Sequence, residues 1–77
     1  MNELPLGIYR HYKGNEYDVL SVAKHTETLE PLVVYRALYG DQDVWVRPLA
    51  MFQETVEVDG NIIPRFELIK EKSNGTH

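Results

Sequence analysis

The chain has 77 residues, eight basic and twelve acidic, for a formal charge of −4 and a pI near 5.2. That is one domain with a thin core, because a chain this short hides only about 60–65% of its unfolded surface and keeps a stability of roughly 5 kcal/mol or somewhat more. An acidic balance with no basic cluster argues against non-specific duplex binding, and the absence of cysteine removes disulfides, thiolate metal sites and thiol nucleophiles.

The first residues, Met1-Asn2-Glu3-Leu4-Pro5, hold neither a basic stretch nor an apolar run, so they do not read as a signal peptide. The longest apolar stretch, Leu32-Val33-Val34-Tyr35, is far too short to span a bilayer, and a cytoplasmic location is expected. Leu6–Tyr12 reads as a first strand, stopped by the turn Lys13-Gly14-Asn15-Glu16. Tyr17–His25, rich in β-branched and aromatic residues, is a second strand, and Thr26–Pro31 a polar turn. Leu32–Tyr39 has the highest β-propensity of the chain; Gly40-Asp41-Gln42-Asp43 breaks it and Val44–Arg47 resumes.

Pro48 suits the first position of a short helical turn over 48–52, where its missing N–H costs nothing. Thr55–Val58 and Ile62–Ile69 flank Asp59-Gly60, a hairpin signal, and Pro64 marks an edge or a bulge. Ser73–His77 reads as disordered, and its Asn-Gly-Thr matches a glycosylation acceptor by chance. The expectation is all-β: a small antiparallel barrel or roll of five to six short strands, closed so that few edges remain. Residues 1–6 form an N-terminal extension, 7–70 a single domain and 71–77 a disordered tail.

Side chains alternate across a strand. In the third strand Leu32, Val34, Arg36 and Leu38 share one face, and Val33, Tyr35, Ala37 and Tyr39 the other. No strand is apolar on one side alone, and the third looks covered on both. Two arrangements fit. Either the aromatic set is the second half of the core, or Tyr35, Tyr39 and Trp45 make an open aromatic floor beside Arg36, Arg47 or His11. In so small a domain the core must claim most of these rings.

The polar groups carry several candidate chemistries. His25-Thr26-Glu27, with Glu30 just beyond, offers divalent-metal ligands, but zinc wants three or four well-placed N or S donors. The bland reading, a solvated turn whose side chains bond backbone N–H groups, is preferred, and neither a metal nor a cofactor is expected. Tyr9-Arg10-His11-Tyr12-Lys13-Gly14 offers an anion cradle with a proton-transfer group, against half-buried rings with charged tips in water. Tyr35-Arg36 and Trp45-Val46-Arg47 suit cation–π pairs that hold a sheet or bind a ligand; a buried Arg36 would need Glu27, Glu30, Glu54 or Glu57. Neither serine sits in a nucleophile elbow and there is no phosphate-cradling glycine loop.

Taken together, Gly7-x-Tyr9-Arg10-His11-Tyr12-Lys13-Gly14-Asn15, Ala23-Lys24-His25-Thr26-Glu27-Thr28, Val33–Gly40, Trp45-Val46-Arg47-Pro48, Met51-Phe52 and Arg65-Phe66-Glu67 closely resemble the small bacterial family called domain of unknown function 1653. The resemblance covers about Gly7 to Ile69. It implies an SH3-like barrel or roll in a bacterial cytosolic protein, and brings no activity or catalytic residues.

The reading that follows is a non-enzymatic binding module presenting an aromatic–basic surface to a peptide, a nucleotide-like anion or a partner protein. Its residues are Tyr9, Arg10, His11, His25, Tyr35, Arg36, Trp45 and Arg47. The alternative is a structural or interaction protein whose aromatic face is core or a homodimer interface. An acid–base enzyme using His11 or His25 with Glu27 or Glu30 trails both.

Overall fold

A computed structural model of the protein describes residues 4–72. The chain runs β1 (Gly7–His11), β2 (Glu16–Lys24), β3 (Pro31–Ala37), β4 (Val44–Pro48), α1 (Leu49–Phe52), β5 (Thr55–Val58), β6 (Asn61–Pro64) and β7 (Phe66–Glu71). Five strands form one antiparallel sheet in the order β4-β3-β2-β1-β7, and β5 with β6 makes a separate hairpin. The all-β reading stands, with one more strand than expected because Arg65 bends the last run in two. Leu38 and Tyr39 leave the third strand early, as the chain prepares a turn containing Gln42 at φ 56°.

The turn chemistry follows the residues. Asp59 and Gly60 both have positive φ, 51° and 82°, which is the backbone that a two-residue hairpin matched to strand twist requires. Pro48 precedes α1 rather than starting it, and Pro64 ends β6 where its missing N–H is not needed. Bulges between Val19 and Ser21 and between Ile8 and Tyr9 add twist to the sheet.

Hydrogen bonds do not close the sheet into the expected barrel; β4 and β7 remain its edges. Side chains do the closing instead. In a flat sheet β4 and β7 would lie four strand spacings apart, about 19 Å. Yet the Arg47 guanidinium of β4 sits 5.6 Å from the Phe66 ring centre of β7. The sheet is therefore strongly curled, and the α1–β5–β6 excursion carries the chain from one edge to the other.

The core lies inside that curl. Tyr9, Val19, Val33, Tyr35, Leu49, Phe52 and Phe66 are buried together, with Leu4, Leu6, Tyr17 and Leu68 packed against them. Phe52 and Phe66 stack at 4.2 Å and 4°. Tyr9 meets Phe52 edge-on at 5.3 Å, and Tyr17 meets Phe66 at 5.7 Å. Leu4 and Leu6 thus join the core from the predicted extension. At the other end β7 runs to Glu71 and the Lys72 N–H donates to the Leu6 carbonyl at 2.7 Å; the rest of the predicted tail lies outside the described residues.

That same closure leaves no room at Gly7. Its φ is 148°, and a Cβ there would come 2.2 Å from the Lys70 carbonyl oxygen. Gly7→Ala is expected to cost about 1–3 kcal/mol for the backbone alone, and more for the displaced β7. A urea midpoint unchanged from the parent protein would show that the β1–β7 seam is looser than described.

Candidate functional site

The eight predicted site residues do not form one face. Tyr9 and Tyr35 are core, 4% and 6% exposed. The Tyr9 hydroxyl donates to the Pro5 carbonyl at 2.7 Å, and burial followed by the Glu71 charge raises its pKa. The Tyr35 hydroxyl accepts a long 3.5 Å bond from Arg47 Nε. His25 belongs to a turn: its Nδ1 accepts from the Glu27 and Thr28 N–H groups, and Thr28 Oγ1 accepts from the Glu30 N–H. Among the described residues no three His, Asp or Glu side chains converge as metal ligands.

Arg36 lies across from Asp18 and Val44 in the strand register. None of the four glutamates considered for it is its partner. Among the described residues Glu54 binds Arg65 at 3.3 Å, and Asp18 Oδ1 lies 3.5 Å from Lys72 Nζ. Trp45 is 56% exposed on β4, so it is not a core ring. The aromatic floor is thus divided: Tyr35 is inside, while Trp45 and Tyr39 are outside. Tyr39 is tied back by a 2.9 Å hydroxyl pair with Tyr17, whose pKa is pushed up to about 12 by burial and by that bond.

What the fold does bring together centres on His11. A groove of about 260 Å³ is lined by Arg10, His11, Tyr12, Ile63, Pro64 and Glu67, where the end of β1 faces β6 and the start of β7. The His11 ring lies edge-on to Phe66 at 5.0 Å and against Tyr12 at 4.7 Å. Its Nδ1 accepts the Lys13 N–H at 3.1 Å, which leaves the other ring nitrogen, Nε2, to carry the proton in the neutral form. Burial first, then the positive charges of Arg65, Arg47 and Lys13, hold the imidazole below its usual value.

The electrostatics are uneven along this groove. Arg10 pairs with Glu16 at 3.4 Å and stands opposite Glu67 in the register. That pair is exposed and contributes only about 0–1 kcal/mol. Around His11, Arg47 sits over the Phe66 ring, and Arg65 has a buried Nε with no hydrogen-bond partner among the described residues. Glu54 pairs with Arg65 and Glu67 lines the groove, so the basic groups near His11 are partly balanced, with Ile63 and Pro64 as apolar wall.

Arg65, Ile63 and Pro64 were outside the predicted set. Pro64 signalled a break, but nothing in the local pattern said that the break folds back onto Tyr12. The contact that does so is the Tyr12 N–H donating to the Arg65 carbonyl at 2.9 Å.

The model of the family described as "Protein of unknown function (DUF1653)" matches residues 7–68, and the chain belongs to that family. A crystal structure of a DUF1653 protein from Bordetella bronchiseptica is similar to it at 36% identity and a TM-score of 0.81, covering 92% of this chain and 94% of that one. No curated protein matches the chain.

Two measurements check this geometry. Trp45→Ala is expected to cost under about 1 kcal/mol, against roughly 3–5 kcal/mol for Phe52→Ala. Equal losses would return Trp45 to the core. The His11 proton resonance is expected to titrate below the usual imidazole value of about 6.5. Because the unfolded state then binds more protons, this residue's contribution to stability is full above about pH 6.5. It declines as the pH falls toward the folded value. His11→Gln is expected to flatten that part of the profile, and a parallel profile would remove the role of His11.

Proposed function

We propose that the protein is a binding module whose groove at His11 takes a small anionic group carried on a planar or apolar body. The observation that carries this reading is the groove in which His11, its Nδ1 held by the Lys13 N–H, lies beside Arg10, Tyr12, Ile63 and Pro64, with burial and then the Arg65, Arg47 and Lys13 charges holding its pKa down. A neutral His11 donates one hydrogen bond through Nε2 without the desolvation cost of a buried cation. The nearby guanidiniums supply charge, and Tyr12, Ile63 and Pro64 supply contact area.

Binding is favoured over catalysis because, among the described residues, no carboxylate hydrogen-bonds His11. Its Nδ1 is occupied by the Lys13 N–H instead. Of the predicted surface, Arg10, His11 and Arg47 belong to this reading; Tyr9 and Tyr35 serve it from the core. An SH3-like classification of the curled sheet and a bacterial, cytoplasmic setting are part of the same proposal. The setting is supported by the family's crystal structure from a bacterium and by the absence of cysteine. Among the described residues no helix is long and apolar enough to cross a membrane.

Amide NMR titration against inorganic phosphate, acetate and a nucleoside monophosphate tests the reading. Shifts on Arg10, His11, Tyr12, Ile63 and Arg65 are expected, largest with the nucleotide and weakened by salt. His11→Ala is expected to weaken binding roughly fivefold, about one hydrogen bond. A well-folded spectrum that none of the three anions moves at these residues would overturn it.

A further inference from the structure

We infer that β4 is a self-association edge, at which a second copy of the chain pairs antiparallel across a two-fold axis at Trp45. The inference shares only Arg47 with the His11 groove and does not rest on that reading. It begins from a contrast between the two edges of the sheet. Natural edge strands are blunted with charge so that they do not recruit another strand. β7 follows that rule with Glu67, Lys70 and Glu71. β4 keeps its charge and its proline to one end, Arg47 and Pro48, and leaves Val44, Trp45 and Val46 consecutive, uncharged, and 49%, 56% and 58% exposed.

The register leaves an open backbone edge, and the charges at its two ends favour a second copy as occupant. The Asp43 carbonyl accepts from the Ala37 N–H, and Trp45 stands opposite Tyr35. Residues 43, 45 and 47 therefore direct their backbone groups to β3, and Val44 and Val46 direct theirs to the open side. In a two-fold pair centred on Trp45, each Val44 faces the partner subunit's Val46, giving four backbone hydrogen bonds and calling on no N–H from Pro48. The two indoles then meet at the close-spaced, non-hydrogen-bonded position, the favourable place for an aromatic pair. The same register sets Asp43 opposite the partner subunit's Arg47. Opposite charges thus bracket the apolar triplet at both ends. One strand contributes little area, so the association is weak and concentration-dependent.

Sedimentation equilibrium across micromolar to millimolar protein, combined with amide hydrogen exchange, tests it. A monomer–dimer equilibrium is expected, with exchange at Val44 and Val46 slowing as concentration rises while Trp45 is unchanged. Val46→Lys, at an exposed position that leaves the core intact, is expected to weaken the dimer at least tenfold. Asp43→Lys is expected to weaken it through the Arg47 contact. A monomer at every concentration overturns the inference. So does a dimer indifferent to Val46→Lys, or an edge that protects Val44 and Val46 only when an added extended peptide of another sequence is bound.

Discussion

Phe52 and Phe66 meet face to face across the mouth of a sheet that its own hydrogen bonds leave open, and most of the remaining structure is arranged around that contact. One ring comes from the turn after β4 and the other opens β7, so the stack ties together the two strands that lie farthest apart in the sheet order. Tyr9, Tyr17 and Tyr35 pack around the pair edge-on or tilted, which suits the quadrupoles of the rings better than a column of parallel faces. Hydrogen bonds would have demanded an unbroken ladder around the circumference. Aromatic side chains span the same gap with only two residues fixed in register.

That substitution explains what the amino acids disclose and what they hide. The strands and turns are local events: β-branched runs, Asp59-Gly60 and Pro48 each carry their structural meaning within a few residues. The all-β class and the hairpin were therefore legible. Closure was expected, but not its means, because that depends on Phe66 meeting Phe52 and Arg47, and nothing near Phe66 in the chain announces those neighbours. The same holds for the rings. Alternation placed Val33 with Tyr35 and Val34 with Arg36 correctly, but with polar groups on both faces it could not say which face turned inward. Tyr9 and Tyr35 went in; Trp45, on an edge beyond the curl, stayed out. His25 had the residue types of a ligand and became a turn acceptor, since its Nδ1 reaches backbone N–H groups two and three residues on.

The candidate site inherits its character from the same core. Phe66 serves as a partition: His11 lies edge-on to it and Arg47 sits over it, so an imidazole and a guanidinium of distant strands share one ring. A domain with so little interior has few places to keep an unpaired positive group. Burying an ion without its counter-charge is costly, and a neutral histidine among half-solvated arginines is a cheaper way to hold a donor inside a groove. Glu16, by contrast, pairs with Arg10 at the outer lip, where Glu67 stands opposite it in the register.

The seam between β1 and β7 has a further consequence, for the order in which the fold can be assembled. Gly7 pairs with Glu71, so the first strand waits for nearly the whole chain before one of its sides is satisfied. Such distant pairing puts loop-closure entropy ahead of reward and slows folding relative to a protein of local contacts. On a ribosome, β2 and β3 can zip onto β1 early, while the β1 flank that will receive β7 stays open until the final strand emerges. The fold's most exposed moment is therefore the interval just before β7 is made.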